Sequence, residues 1–183
     1  MLHQFYVLIN KICVFMKSSS INFIIFIFLA NIIFFPLKSF SRQFIERDHI
    51  IIDLLSGVEW LRCSTGQIWD GKGCIGQIVR LNLSEIKEAL KQANEQLGNG
   101  WRLPTLKELE GLVCEECKEG KKFTDMATIN QEIFPSTPSE PFWTSDKNKW
   151  SGNRYWTVSF FTGFSFNRFT EFKPLASRFV KDR

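Results

Sequence analysis

The run Gly100-Trp101-Arg102-Leu103-Pro104-Thr105-Leu106-Lys107-Glu108-Leu109-Glu110 leaves the backbone few choices. Trp101 and Leu103 alternate around Arg102, as in a short strand with one buried face. Pro104 ends that strand, because it removes a ladder donor and fixes φ. Thr105 then has the residue type of a helix N-cap, with Glu108 three positions on to complete a capping box. Leu106, Leu109, Leu112 and Val113 form the apolar stripe of the helix that follows. A strand that turns at once into a capped helix sets the direction of two elements, so this corner is expected at the centre of the fold. Arg102 stands between two core residues, and pairing with a carboxylate such as Glu108 or Asp53 would fix the corner. Trp101, Arg102, Pro104, Thr105 and Glu108 are thus read as structural residues.

The fold does not need the whole chain. Residues 21–37 read INFIIFIFLANIIFFPL, preceded by Lys17 and three serines and followed by Ser39-Phe40-Ser41. A charged n-region, an apolar h-region and small residues at the cleavage positions make a secretory signal. The stretch is short for a membrane span and is interrupted by Asn31 and Pro36. Cleavage after Ser41 is the favoured reading, with an inner-membrane anchor over 21–37 as the alternative. Met16-Lys17 reads as the start of that signal, so residues 1–41 are an N-terminal extension plus signal, and 42–183 form a single domain with one core.

Loss of the signal changes the charge argument. It removes Lys11, Lys17 and Lys38 from 23 bases, leaving 20 against 19 acids. A net charge of +1 takes away the electrostatic footprint of a nucleic-acid binder. What charge remains is uneven: residues 147–183 carry eight bases and two acids, among many aromatics. Four cysteines remain as well. An even number in an exported domain argues for two disulfides, Cys63–Cys74 and Cys114–Cys117. A zinc site is the weaker alternative, since the gap from Cys63 to Cys74 does not match a zinc knuckle. Redox chemistry at Cys114-Glu115-Glu116-Cys117 is disfavoured, because a helix C-terminus and two carboxylates oppose a thiolate.

In chain order, 42–47 reads as a loose lead-in, and Ile50-Ile51-Ile52 and 58–62 as a hairpin. Residues 63–74 form a turn-rich loop with Trp69 as its anchor on the core. A helix begins at an Ser84 N-cap, buries Ile86, Ala89, Leu90, Ala93 and Leu97, and stops at Gly98. Residues 118–141, with Phe123, Met126, Ile129, Ile133 and Phe134, form an irregular excursion with one helical turn. Strands follow at 142–145, 154–161, 164–169 and 175–180, with Trp156, Phe160 and Phe166 read mainly as core. Trp150 falls in a loop.

The segments WLRCSTGQIWDGKGC, GWRLPTLKELEGLV, IFPSTPSEPFWTS and SRFVKDR resemble the Lcl C-terminal domain family, named for the terminal domain of a collagen-like bacterial adhesin. The resemblance runs from about residue 48 to 183, and its WRLPT-x-x-EL block also looks like that of the formylglycine-generating enzymes. It implies an α+β, C-type-lectin-like fold: two helices on a twisted antiparallel sheet with long, disulfide-stapled loops. Two helices and six or seven strands in the element reading agree with that. No Gly-x-y repeats are present, so trimerisation through a stalk is not implied. A single cysteine is usual after the family's second helix, where this chain has the CxxC pair.

Little enzymatic chemistry is encoded. His49 is the one histidine after the signal, and no GxSxG, P-loop, GxGxxG or EF-hand pattern accompanies it. Sites built from several histidines are excluded, so no metal or cofactor is assigned; calcium held by loop carboxylates, as in some lectin-like domains, stays open. The leading expectation is an exported, non-enzymatic binding or adhesion module. Its candidate surface is Lys149, Trp150, Arg154, Arg168 and Lys173, where an indole can stack on a sugar and bases can pair with sulfates or carboxylates. An anionic glycan or an envelope or cell-surface protein is the expected partner, and affinity of the family's adhesin for sulfated glycans points the same way by analogy. A distant formylglycine-type oxidase, a hydrolase using His49 and a structural envelope component are the alternatives. Export to the periplasm or medium predicts a mature N-terminus at Arg42, checked by N-terminal sequencing; full-length protein in a membrane fraction would reject cleavage.

Overall fold

The computed structural model describes residues 43–118, 127–150 and 152–183. The signal over 21–37, Phe123 and Met126 lie outside them. The described residues belong to one compact unit, 42–183, of mixed α+β type, with nine strands and two α-helices.

Strands β1 (Phe44–Arg47), β2 (Ile50–Asp53), β3 (Val58–Leu61) and β9 (Val180–Asp182) form one antiparallel sheet in the order β1-β2-β3-β9. β4 (Ile68–Trp69) and β5 (Cys74–Ile75) make a two-stranded ribbon, and β6 (Pro141–Lys147), β7 (Arg154–Ser159) and β8 (Ser165–Thr170) a three-stranded antiparallel sheet. Helix α1 covers Leu83–Leu97 and α2 covers Leu106–Glu110. The predicted hairpin is present, with Ile51 opposite Trp60. Its turn is held by buried Asp53, whose carboxylate accepts from the Leu55 and Ser56 amides and the Ser56 hydroxyl at 2.6–3.3 Å. Gly57, at φ 72°, takes the left-handed position that closes it.

Several expectations need correction. The lead-in is a strand: β1 pairs with β2 along its whole length as a sheet edge. The N-cap of α1 is Asn82, whose Oδ1 accepts from the amides of Ser84 and Glu85, while Glu85 returns a carboxylate to the Asn82 amide at 2.8 Å. Ser84, two residues on, turns its hydroxyl to the same Oδ1. Leu97 at the far end of α1 is exposed. Trp69 is half-buried beneath the Arg62 guanidinium, 4.1 Å from its ring centroid, outside the two core clusters. Trp156 and Phe166 are also half-buried, whereas Phe160 is fully buried. Residues 175–180 are buried throughout, but regular pairing begins only at Val180; before it, Leu175 and Ala176 make isolated bridges to Leu81 and Phe142.

Two apolar clusters share that C-terminal segment. One joins Ile51, Trp60, Leu109, Phe134, Phe142, Phe160 and Val180 across both larger sheets. The other sets Ile86 of α1 against Trp101, Leu103, Trp143, Leu175 and Phe179. Both disulfides form, Cys63–Cys74 and Cys114–Cys117. They close loops of sequence separation 11 and 3, so neither ties distant parts of the chain together.

Arg178 does that instead. Its side chain is fully buried and has no carboxylate among its described contacts. The guanidinium donates to the carbonyls of Leu61 and Arg62, to Ser64 Oγ at 3.1 Å and to Thr137 Oγ1 at 2.7 Å, and lies 4.8 Å from the centroid of the Phe134 ring. Burial pushes it down to about 9, so it keeps its charge at neutral pH. Arg178→Met should cost about 3 kcal/mol or more, because buried carbonyls lose their donor. Urea unfolding checks this, and a loss under about 0.5 kcal/mol, the size of an ordinary surface change, would show that the contacts are dispensable.

Candidate binding groove

The corner at 101–105 is built largely as its residues require. Trp101 and Leu103 are buried and Arg102 is not. The strand itself reduces to one antiparallel bridge, with the Arg102 amide donating to Val180 O at 2.8 Å and the Val180 amide returning to Arg102 O at 3.0 Å. Asn94 of α1 reinforces it by exchanging hydrogen bonds with the backbone amide and carbonyl of Trp101, both at 3.0 Å. Thr105 caps α2, Glu108 completes the box, and Asp146 of β6 accepts from the Leu106 amide at 2.5 Å.

Arg102 pairs bidentately with Glu108, Nη1 to Oε2 at 2.9 Å and Nη2 to Oε1 at 2.8 Å. Its second carboxylate is Asp182 at 2.5 Å, not Asp53, which is occupied by its own turn. The arginine is about one-third exposed rather than buried, because it forms a wall of a groove. The side-chain hydrogen bond from Arg102 holds the Glu108 carboxyl below the usual range, against the opposing effect of burial.

That groove, about 630 Å³, lies between the start of α1, the corner and the ends of β6 and β7. Ile86, Leu90 and Leu103 supply its apolar floor, and Tyr155, Glu171 and Phe172 line it from the sheet side. The N-terminus of α1 reaches it, but the first amides already have partners: Leu83 N donates to Glu171 O at 3.0 Å, and Ser84 and Glu85 donate to Asn82. The helix end is therefore closed to an anion.

The five residues expected to bind a ligand fall on the β6–β7–β8 sheet and its connections. Lys149 and Trp150 lie in the β6–β7 turn, and Arg154 begins β7 opposite Thr170, the last residue of β8. Lys173 follows in the next turn, where its amide donates to Thr170 O at 3.0 Å. Those four therefore gather at one end of the sheet, next to Phe172 and the groove. Lys149, Arg154 and Lys173 are exposed, and Trp150 is 97% exposed. Buried Asn148 positions the turn by accepting from the Trp150 amide at 2.9 Å. Arg168 differs: it lies further along β8 with its guanidinium 4.6 Å from the Phe166 and 5.1 Å from the Phe169 ring centroid.

Other bases of the C-terminal third have structural partners. Arg178 is buried, and Lys181 pairs with Glu59 at 3.1 Å while lying 4.9 Å from the Trp101 ring centroid. Lys147 sits 5.7 Å from the ring centroid of Tyr155 and so joins the basic end to the groove. Sequence reasoning missed Tyr155 and Phe172 as groove residues; the alternation of 154–161 marked Tyr155 as lying on one face of a strand without showing what faced it.

His49 has Asp48 beside it, Nδ1 to Oδ2 at 3.1 Å, but the neighbouring Ser64 turns its hydroxyl to Arg178. Among the described residues no three of His, Cys, Asp and Glu are placed to hold a metal ion, and no helix is long and apolar enough to cross a membrane.

In a comparison with known families the chain matches the Lcl C-terminal domain over residues 49–181. No curated protein and no solved structure matches the chain.

The Arg102–Glu108 wall predicts an acid limb. A carboxyl with a depressed folded pKa contributes stability that is complete above its unfolded value, near 4.5, and is lost as pH falls through the lower folded value. Glu108→Gln should therefore lose about 2 kcal/mol at neutral pH and show a flatter decline on acidification. Urea unfolding across about pH 3 to 7 measures both; parallel curves would show that the pair contributes no pH dependence.

Proposed function

The chain belongs to the Lcl C-terminal domain family, and from that premise we propose an exported binding module of C-type-lectin-like build that holds an anionic glycan. Its contact surface is the basic end of the three-stranded sheet, continuing into the groove beside Tyr155. One observation carries the reading: Trp150 is 97% exposed at the tip of a turn whose backbone is held by buried Asn148, with Lys149 beside it in sequence. An indole at such a tip stabilises nothing in the core, and its exposed face is suited to stacking on a sugar ring. Lys149, Arg154 and Lys173 supply cations for sulfates or carboxylates. The alternation of exposed bases with Trp150 and Phe172 fits a polymer with charged substituents and apolar ring faces.

In this reading the five residues take unequal parts. Arg168 is engaged with two aromatic rings, so its removal would disturb β8 as well as charge. Lys149 and Arg154 are the cleaner pair to remove.

Titration of the full chain with a sulfated oligosaccharide and its unsulfated counterpart tests the reading. Affinity for the sulfated ligand should fall sharply between low salt and about 0.5 M, since exposed charges are screened over a Debye length of about 8 Å at physiological ionic strength. Trp150→Ala should weaken binding at every salt, and Lys149→Ala/Arg154→Ala should flatten the salt dependence while leaving the melt cooperative. Equal affinity for the unsulfated ligand, or no binding to a panel of acidic glycans, would remove the proposal.

A further inference from the structure

The margins of the two larger sheets differ in how they end. β9 is bridged by Arg102, whose amide and carbonyl both bond to Val180. β6 is met on its outer side by Ala176 O, which accepts from the Trp143 amide at 3.0 Å, and by Pro104 O, which accepts from the Ser145 amide at 2.8 Å. β8 ends its sheet, but a register shift between Tyr155 and Thr157 interrupts its pairing with β7, and such irregularity discourages a further strand. Among the described residues β1 has neither a cover nor a shift. It pairs with β2 in one unbroken register, from Phe44 opposite Asp53 to Arg47 opposite Ile50.

The hydrogen bonds at the two ends of β2 show which groups this edge offers. The Leu54 amide donates to Gln43 O, and the Arg62 amide donates to His49 O on the other side of β2. Bonded pairs alternate along an antiparallel ladder, so Gln43, Ile45 and Arg47 turn their backbone groups toward β2, while Phe44 and Glu46 turn theirs outward. A strand laid antiparallel on that edge would satisfy two amides and two carbonyls. The side chains divide by the same alternation. Phe44 meets the Phe134 ring edge-on and Glu46 reaches Arg62, so both lie on the core face. Ile45 and Arg47 lie on the opposite face and are exposed, Ile45 at 44%.

This edge is complementary to itself. With Phe44 opposite Glu46 of a second copy, a two-fold axis passes through Ile45, which meets its own mate, and Gln43 lies opposite Arg47. Residues 43–47 are then all paired, no like charges are opposed, and the exposed isoleucine is covered. Sliding by two residues one way sets Glu46 against Glu46 and runs into the turn at Asp48, where φ is 52°. Sliding two the other way puts Phe44 on the axis and leaves Arg47 beyond the pairing. A slip of one residue sets outward groups against residues whose own groups already face β2.

We propose that β1 is a self-association edge, through which two copies of this chain join β1 to β1 about a two-fold axis at Ile45 and continue the four-stranded sheet across it. The contact is isologous, so it closes at two copies. One strand pair is small beside a standard interface, which makes the dimer concentration-dependent. The basic end of the three-stranded sheet takes no part, so the inference stands apart from the glycan reading.

Sedimentation velocity of the full chain from about 10 to about 500 µM should show the mass rising toward twice the monomer. Ile45→Lys and Ile45→Glu should each stay monomeric with a Tm near wild type, and their equimolar mixture should associate again, because each residue 45 meets only another residue 45. Lys149→Ala/Arg154→Ala should associate as wild type. A trap reads the register even if the charged variants fail to fold. Opposed residues of a non-hydrogen-bonded pair have Cα atoms about 4.5 Å apart, within disulfide range. Ile45→Cys should therefore form a cross-linked dimer on oxidation, well above the background set by Cys13 in the wild type, and Arg47→Cys should not. The proposal is overturned if the wild type stays monomeric throughout, if the Lys and Glu variants associate separately or fail to associate when mixed, if Lys149→Ala/Arg154→Ala abolishes association, or if Ile45→Cys cross-links no more than wild type or Arg47→Cys.

Discussion

A cation buried without a carboxylate is the constraint on which the rest of this fold depends. Arg178 comes just before β9, yet its guanidinium meets the carbonyls at the exit of β3, the hydroxyl of Ser64 in the stapled loop and that of Thr137 before β6. Removing such a group from water is costly, and the loss is offset only if most of its protons find acceptors at once. Three separate segments must therefore arrive together. Satisfying the arginine brings the C-terminal segment between the two apolar clusters and leaves Val180 in register with both Trp60 and Arg102.

That register determines where charge is left over. Once Val180 is fixed, Lys181 falls beside Glu59 and Asp182 beside Arg102. These bases and acids neutralise one another along the edge of the four-stranded sheet. Around the β6–β7 turn Lys149, Arg154 and Lys173 stay exposed, while Asp146 at that end accepts from the Leu106 amide, so basic character is kept there. The uneven charge seen along the sequence is thus reduced to a smaller patch by folding.

Local signals in the sequence were legible because the interactions they encode are local. Thr105 and Glu108 form their box three residues apart, and Gly98 ends α1 at φ 86°. Asn82 with Glu85 carried the same signal; Ser84 hid it, being another good cap two residues away. β1 was missed because an edge strand pairs on one side and shows water the other, so Glu46 and Arg47 gave it the composition of a loop. Arg178 could not be read at all. A base in a short apolar run has the pattern of a solvent-facing residue, and its acceptors lie more than a hundred residues earlier in the case of Leu61 and Arg62. The groove was equally hidden, since α1, the corner, β6 and the turn after β8 each contribute only one side of it.

The position of β9 bears on how the domain comes into being during synthesis. β3 sits near the start of the fold and closes against β9, at the very end of the chain, with Val58 opposite Asp182. A chain emerging N-terminus first can form the β2–β3 hairpin, α1 and both local disulfides early, but neither cluster is complete until the segment that leads into β9 has followed. The nascent domain must wait with Trp60 and Trp101 uncovered, in the interval when long-range pairing is slow and exposed apolar surface invites association. A truncation that removed residues 175–183 would strand the domain at that stage, because it takes away β9 and the buried run before it.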